Sequence, residues 1–213
     1  LREETSNNID LSLRKSTGPW RWTANIFVNF IEDFVFQESQ DIDGNGFADE
    51  VDVDRVLGGE LLLIAFRQQD ALFYGIEAES RYEIFDNDKG KLGLRIWGDW
   101  IRAKLDKGGN LPRIPPVRLG TNLEYNHRQW HLDADLTYTF KQSRVSTLET
   151  ETDGYTTLNI GLGYKLGMGK LDIDLSLRGN NLLNEDRRRH TSFLKDRAPL
   201  PGRAVILGLS VGF

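Results

Sequence analysis

The last eleven residues constrain this chain more than any other stretch. Written as an extended strand, residues 203–213 place Val205, Leu207, Leu209, Val211 and Phe213 on one face and Ala204, Gly208, Ser210 and Gly212 on the other, because strand side chains alternate with period two. An apolar face without interruption, finished by an aromatic residue, suits the wall of a membrane β-barrel better than the last strand of a soluble domain. Such a wall needs no continuous apolar run, since only alternate residues meet lipid.

Composition is compatible with that reading once the helical alternative is removed. The chain has 213 residues, 28% of them charged, and a mean hydropathy of −0.45. No apolar run approaches the roughly 18 residues that a membrane-spanning helix requires. Five Trp, six Tyr and eleven Phe suit the interfacial girdles of a barrel,. The absence of Cys fits an oxidising compartment,. A net charge of −5 weighs against a nucleic-acid partner,. The chain starts at Leu1 with neither an initiator Met nor a signal peptide, as expected of a processed or truncated segment,.

Alternation recurs along the chain and predicts about nine strands, near residues 8–15, 20–36, 61–85, 92–105, 117–126, 130–145, 155–166, 171–184 and 203–213,. Each is long enough to cross a bilayer at a tilt, for which ~9 to 11 residues suffice. The fold expected is all-β, an antiparallel transmembrane barrel wall, with Leu132, Leu136, Ile173, Leu175 and Leu207 on its convex, lipid-facing side. The opposite row, including Glu77, Glu79, Arg81, Arg95, Asp99, Glu124, Asp133, Asp135, Asp172 and Arg178, would line the lumen. Short connections at 16–19, 86–91, 127–129 and 167–170 alternate with long ones at 37–60, 106–116, 146–154 and 185–202. Short periplasmic turns opposite long extracellular loops are what an outer-membrane barrel needs. Trp20, Trp22, Tyr82, Tyr125, Trp130, Tyr164 and Phe213 then form a girdle at the turn end, with Phe34, Trp100, Tyr138 and Phe140 toward the other.

One loop carries ligand chemistry of its own. Residues 41–52, D-I-D-G-N-G-F-A-D-E-V-D, follow the twelve-residue calcium loop: Asp41, Asp43 and Asn45 at positions one, three and five, Gly46 at the sharp turn, the Phe47 carbonyl at seven, Asp49 at nine and Asp52 at twelve,. Asp at position twelve has a shorter reach than the usual Glu, and the flanks read as strand and loop rather than helix. The loop is therefore either a weak extracellular Ca2+ site or a solvated acidic loop. His127, His131 and His190 are too dispersed to converge as a three-His metal site. Without a nucleophile constellation, an enzyme is not expected.

The segment G-N-N-L-L-N-E-D-R-R-R-H-T-S-F-L-K-D-R-A-P-L-P-G-R-A-V-I-L-G-L-S-V-G-F, residues 179–213, resembles the carboxy-terminal end of TonB-dependent outer-membrane receptors. So do E-T-S-N-N-I-D at Glu4 to Asp10, F-Y-G-I-E-A-E at Phe73 to Glu79, L-P-R-I-P-P at Leu111 to Pro116 and E-T-D-G-Y-T-T-L-N at Glu151 to Asn159, in family order. The resemblance implies a partial arc of a barrel of ~22 strands, with residues 1–213 its carboxy-terminal segment and no plug domain. It implies active transport of a scarce nutrient, such as a ferric siderophore or a metal ion, through the bacterial outer membrane. TonB would act through the missing amino-terminal part, and Phe213 would be the signal read by the barrel-assembly machinery. The basic loop residues Arg187, Arg188, Arg189, His190, Lys195 and Arg197 would contact an anionic ligand or the phosphates of lipopolysaccharide,. His190 with Asp186 as zinc ligands is a thinner alternative. A passive porin, an autotransporter translocator and a secreted calcium-binding β-domain are the competing classes.

Overall fold

The computed structural model describes residues 1–52, 57, 61–169 and 171–212. Nine antiparallel strands form one sheet in chain order: β1 (Thr5–Lys15), β2 (Trp20–Ser39), β5 (Ile64–Asn87), β6 (Gly90–Leu105), β7 (Arg118–His127), β8 (Trp130–Thr139), β9 (Tyr155–Met168), β10 (Leu171–Asn180) and β11 (Ala204–Gly212). A two-stranded ladder, β3 (Glu50–Val51) with β4 (Leu61–Leu62), lies in the long connection between β2 and β5. Sequence alternation runs Leu61 into the following strand and does not separate this small hairpin. The nine strands form a partial barrel arc, and among the described residues the only other sheet is the small β3–β4 ladder.

Registers place the two faces where period two requires. Ile9 pairs with Val28, Ile26 with Ile76, Leu123 with Ala134, Leu132 with Leu162, and Leu177 with both Leu162 and Leu207. These outward residues remain open, Leu207 being 79% exposed, because their medium is lipid rather than a protein core. On the other face Glu77 pairs with Asp99, Arg81 with Arg95, and Glu124 with Asp133. Like charges directly opposite are unfavourable. Neighbouring ion pairs relieve some of them: Glu79 holds Arg95 diagonally (2.6 Å) and Arg81 along its own strand (2.5 Å), and Asp99 holds Arg118 directly opposite on β7 (3.0 Å). Gly120 lies under the Trp97 ring, where any side chain would collide with the indole.

Two strands are shorter than alternation suggests. β8 stops at Thr139, not 145; beyond it only Gln142 still bridges Thr152 in the β8–β9 register, while its side chain donates to the Ile114 and Pro115 carbonyls (2.9 and 3.2 Å). β10 stops at Asn180, not 184, because Asn181 turns into the left-handed region at φ 47°.

Phe34 corrects the expected outer girdle. Strand β2 carries a bulge between Ile31 and Phe34, with Asp33 at φ 54°. Asp is among the few non-glycine residues that enter this region readily. The displaced backbone is satisfied by side chains: the Asp33 N–H donates to Asp70 Oδ1 (2.8 Å), and Gln68 Nε2 donates to the Asp33 carbonyl (2.6 Å). The extra residue exchanges the faces, so Phe34 stacks edge-on against inward Phe73 at 5.2 Å. With Phe36, Leu105 and Ile114 it packs on buried Ala71, Ala103 and Leu111, a small apolar core at the loop end of the lumen.

Candidate functional site

The long strands set the site's position. β2 has 20 residues and β5 has 24. At ~3.3 Å per residue they reach about 65 and 80 Å, well past a hydrocarbon core of ~30 Å. They carry the loop end outward, where four connections fold over one another into a roof.

Glu149 is the centre of that roof. Its Oε1 accepts the Arg113 N–H (2.9 Å) and lies 3.2 Å from Lys195 Nζ, while its Oε2 accepts the Ser146 N–H (3.0 Å). His190 Nε2 also lies 3.2 Å from Oε1, a close polar contact without hydrogen-bond geometry. Lys195 Nζ further donates to the Thr150 carbonyl (2.6 Å), and Thr152 Oγ1 meets His190 Nδ1 at 2.9 Å. Burial pushes the Glu149 carboxyl upward. The His190 contact, the two backbone N–H donors and the Lys195 charge outweigh it, and the pKa falls to about 2,. Desolvation lowers the Arg113 pKa, against the attraction of Glu149. The Arg113 guanidinium lies 4.0 Å from the Phe193 ring centroid, a cation–π geometry.

This arrangement corrects the reading of the last loop as a basic surface. His190 is 2% and Lys195 5% exposed. Arg187 donates to the Pro201 carbonyl (2.6 Å), Arg188 to the Lys195 carbonyl (2.8 Å), and Arg197 pairs with Glu50 in the acidic loop. Arg189 is exposed and makes no side-chain hydrogen bond or ion pair among the described residues. Most of these cations are therefore consumed inside the roof. Asp186 pairs with Arg188 at 3.4 Å, while His190 faces Thr152 and Glu149, so the two zinc ligands imagined together are not brought together.

Sequence reasoning missed Glu149, Arg113 and the physical role of the N-N-L-L-N motif. Asn181 is fully buried. Its Nδ2 donates to the Glu185 and Pro201 carbonyls and its Oδ1 accepts the Glu185 N–H, while Asn184 Oδ1 accepts the Arg203 N–H. Both residues sit at positive φ, 47° and 57°. Together they staple the neck of the last loop shut.

The acidic loop is pre-turned. Asp41 Oδ1 accepts the N–H groups of Gly44 (2.7 Å) and Asn45 (3.1 Å), and Oδ2 accepts that of Gly46 (2.9 Å). These donors, that of Gly46 foremost, lower the Asp41 pKa. Gly44 and Gly46 take φ of 74° and 89°, which lets the chain reverse,. One oxygen each from Asp41, Asp43 and Asp49 lie within 4.8 Å of one another. Asp49 is buried, and its Oδ2 accepts the Ile42 N–H at 2.5 Å. Asn45 Oδ1 accepts the Phe47 N–H (2.8 Å), and Asp52 follows β3. Phe213 lies outside the described residues.

Between these loops is a cavity of about 450 Å3 lined by Phe47, Glu50, Arg113, Leu148, Thr150 and Phe193, among others. It combines exposed rings with both signs of charge, a lining suited to an amphipathic small molecule.

Comparison with known proteins matches residues 1–182 to the family model for the β-barrel of TonB-dependent receptor-like proteins. Among solved structures, the copper transporter OprC superposes with a TM-score of 0.75 at 16% identity, over 98% of this chain and 30% of that one. The FrpB iron transporter from Neisseria meningitidis gives 0.66 at 15% identity over 97% and 31%. The siderophore receptor PirA from Acinetobacter baumannii gives 0.64 at 17% over 97% and 31%. The chain thus spans under a third of the length of the structures it matches.

Proposed function

Because this chain belongs to the TonB-dependent receptor family of bacterial outer-membrane β-barrels, we propose that it supplies part of the wall and roof of an active-transport receptor for a metal or metal chelate. The observation that carries the proposal is the roof. Four loops close over the lumen end and leave an aromatic, charged cavity of about 450 Å3. A passive pore gains nothing from such a recess, whereas a receptor that must capture a scarce solute does. Copper, iron and siderophores are the cargo of the structural neighbours, and a polar lumen wall offers hydrogen-bonding partners to a plug. TonB and the barrel-assembly machinery are the protein partners in this reading, with lipopolysaccharide around the rim.

Uptake of radiolabelled copper and of a panel of ferric siderophores, in cells expressing the complete barrel with and without functional TonB, tests this. One of these probes should enter only when TonB is present, and Arg113→Ala with Phe193→Ala should reduce its entry. TonB-independent leakage of small solutes of every kind would favour the porin reading. Phe213 belongs to the same proposal as an assembly signal: its deletion should lower outer-membrane levels more than Phe27→Ala, which removes a lumen ring packed over Gly75.

We also propose Ca2+ for the loop from Asp41 to Asp52, on the convergence of the Asp41, Asp43 and Asp49 oxygens. Affinity should fall in the weak extracellular range, on the order of 0.1 to 1 mM. Titration calorimetry should show binding heat that Asp41→Ala with Asp43→Ala removes; equal, negligible heats in both would leave a plain acidic loop.

A further inference from the structure

One part of the outward face departs from the apolar pattern. The lipid-facing row of β6 runs Leu92, Leu94, Ile96, Gly98 and Trp100, then turns basic with Arg102 and Lys104, which pair with Tyr74 and Leu72 on the outward row of β5. Trp100 stacks edge-on against Tyr74 at 5.7 Å, and Tyr138 against Phe140 at 4.6 Å. These four rings are the outer girdle, the level at which barrel side chains meet lipid headgroups. Arg102 stands within that level and Lys104 just beyond it.

Beside them, between the end of β6 and residues 114–117 and 140–144, is a cavity of about 220 Å3. Trp100, Val117 and Phe140 supply its apolar lining, and Arg102, Lys141 and Arg144 its basic lining. The backbone acceptors there are taken, since the Ile114 and Pro115 carbonyls already receive Gln142 Nε2. The donors are not. Arg102 Nε is buried without an acceptor, a situation native structures seldom leave unanswered. Among the described residues Arg102, Lys104 and Arg144 have no ion pair, whereas Lys141 is committed to Glu151 at 2.6 Å.

We infer that this is a phosphate site for a phosphorylated glycolipid of the outer leaflet. The headgroup phosphate takes the free guanidinium donors of Arg102 and Arg144, with Lys104 as a further counter-charge, and the acyl chains run along the apolar row below Trp100 and Phe140. Planar guanidinium groups match phosphate oxygens in geometry as well as charge. A soluble anion would be held by the roof or the lumen, but Arg102 and Lys104 lie on the row that faces lipid, with Arg144 beside Arg102 in the cavity lining. The inference rests on the outer-membrane fold and is independent of what the receptor transports.

The test is retention of lipid A by the complete barrel, purified in detergent and measured by native mass spectrometry. The bisphosphorylated form, its dephosphorylated counterpart and inorganic phosphate serve as separate probes. The bisphosphorylated lipid should remain bound, with affinity falling about tenfold or more in Arg102→Gln with Arg144→Gln. Arg102→Lys should retain part of it, and Lys165→Gln, near the short-turn end of β9, should retain all of it. Resistance of the folded barrel to heat in gel electrophoresis should be the same for all variants, which separates loss of lipid from loss of fold. Equal retention by the double variant, equal binding of the dephosphorylated lipid, or displacement by millimolar inorganic phosphate would each overturn the assignment.

Discussion

Glu77 faces Asp99 across the barrel wall, while Glu149 in the roof sits among Arg113, His190 and Lys195, and the two places handle charge in opposite ways. In the wall, like charges stand opposite one another because the lumen side is open and solvation absorbs most of the repulsion. Order there comes from the backbone ladder, which holds whatever the inward side chains are. In the roof, backbone pairing is sparse and a buried carboxylate is the node through which three connections meet. The wall is a continuous structure tolerant at single points; the roof depends on a few groups that cannot be removed singly.

The largest expected break in that comparison is Glu149→Gln. Leaving Lys195 buried without its counter-charge should cost ~3 to 5 kcal/mol of local stability. Hydrogen exchange in the complete barrel should then rise across residues 146–154 and 185–202 and stay unchanged in the strands. Uniform protection throughout would show that the roof does not hang on this carboxylate. The pH dependence carries the same signature. The folded-state pKa of Glu149 is depressed from 4.5 to about 2, so its contribution is fully present above pH 4.5 and is lost as pH falls from there through about 2. Protease sensitivity of the roof should be flat from pH 7 to about 5 and climb below that.

Next in size is Leu175→Arg on the lipid row, expected to cost ~2 to 4 kcal/mol near the bilayer midplane, against a small effect for Ser176→Arg on the lumen row. Denaturant titration of the barrel folded in lipid vesicles measures both, and equal costs would mean that the faces are misassigned. Gly120→Val should cost ~1 to 3 kcal/mol, because the added side chain occupies the place of the Trp97 ring. A shift in tryptophan fluorescence reports the ring's displacement, which makes this a wall position where an inward side chain matters. Smallest is Glu151→Gln. It breaks the Lys141 pair at 2.6 Å, but both side chains are about half exposed, so less than ~1 kcal/mol is expected. Two residues along the same loop, Glu149 and Glu151 should thus differ several-fold in the same exchange experiment.

The wall was legible in the sequence because a membrane imposes one rule on every strand. Trp130, Leu132, Ala134, Leu136 and Tyr138 announce their face without reference to any other part of the chain. The rule failed at Phe34, where one inserted residue reset the phase, and the carboxylate of Asp70 and amide of Gln68 that support the insertion lie more than thirty positions away. The roof was legible only as composition. Lys195 and His190 read as solvated bases because Glu149, which makes their burial tolerable, precedes Lys195 by 46 residues. Asn181 and Asn184 were visible as a motif, but no local pattern says that an amide will bind the carbonyl of Pro201.

The bulge at Asp33 has a meaning for the bilayer as well as for the strand. Below it Phe30 looks outward; above it Phe34 and Phe36 look inward and Val35 takes the outward place. One residue therefore decides where the oily band stops on this flank of the barrel, and that stopping height cannot be adjusted gradually. Removing Asp33 would turn two phenyl rings from the inner core toward the surroundings and lift the greasy surface by about two residue pairs, ~13 Å of strand. The surrounding membrane would have to thicken, or the barrel tilt, to cover it. A single backbone kink thus works as a depth mark, fixing how deeply this side of the receptor is seated.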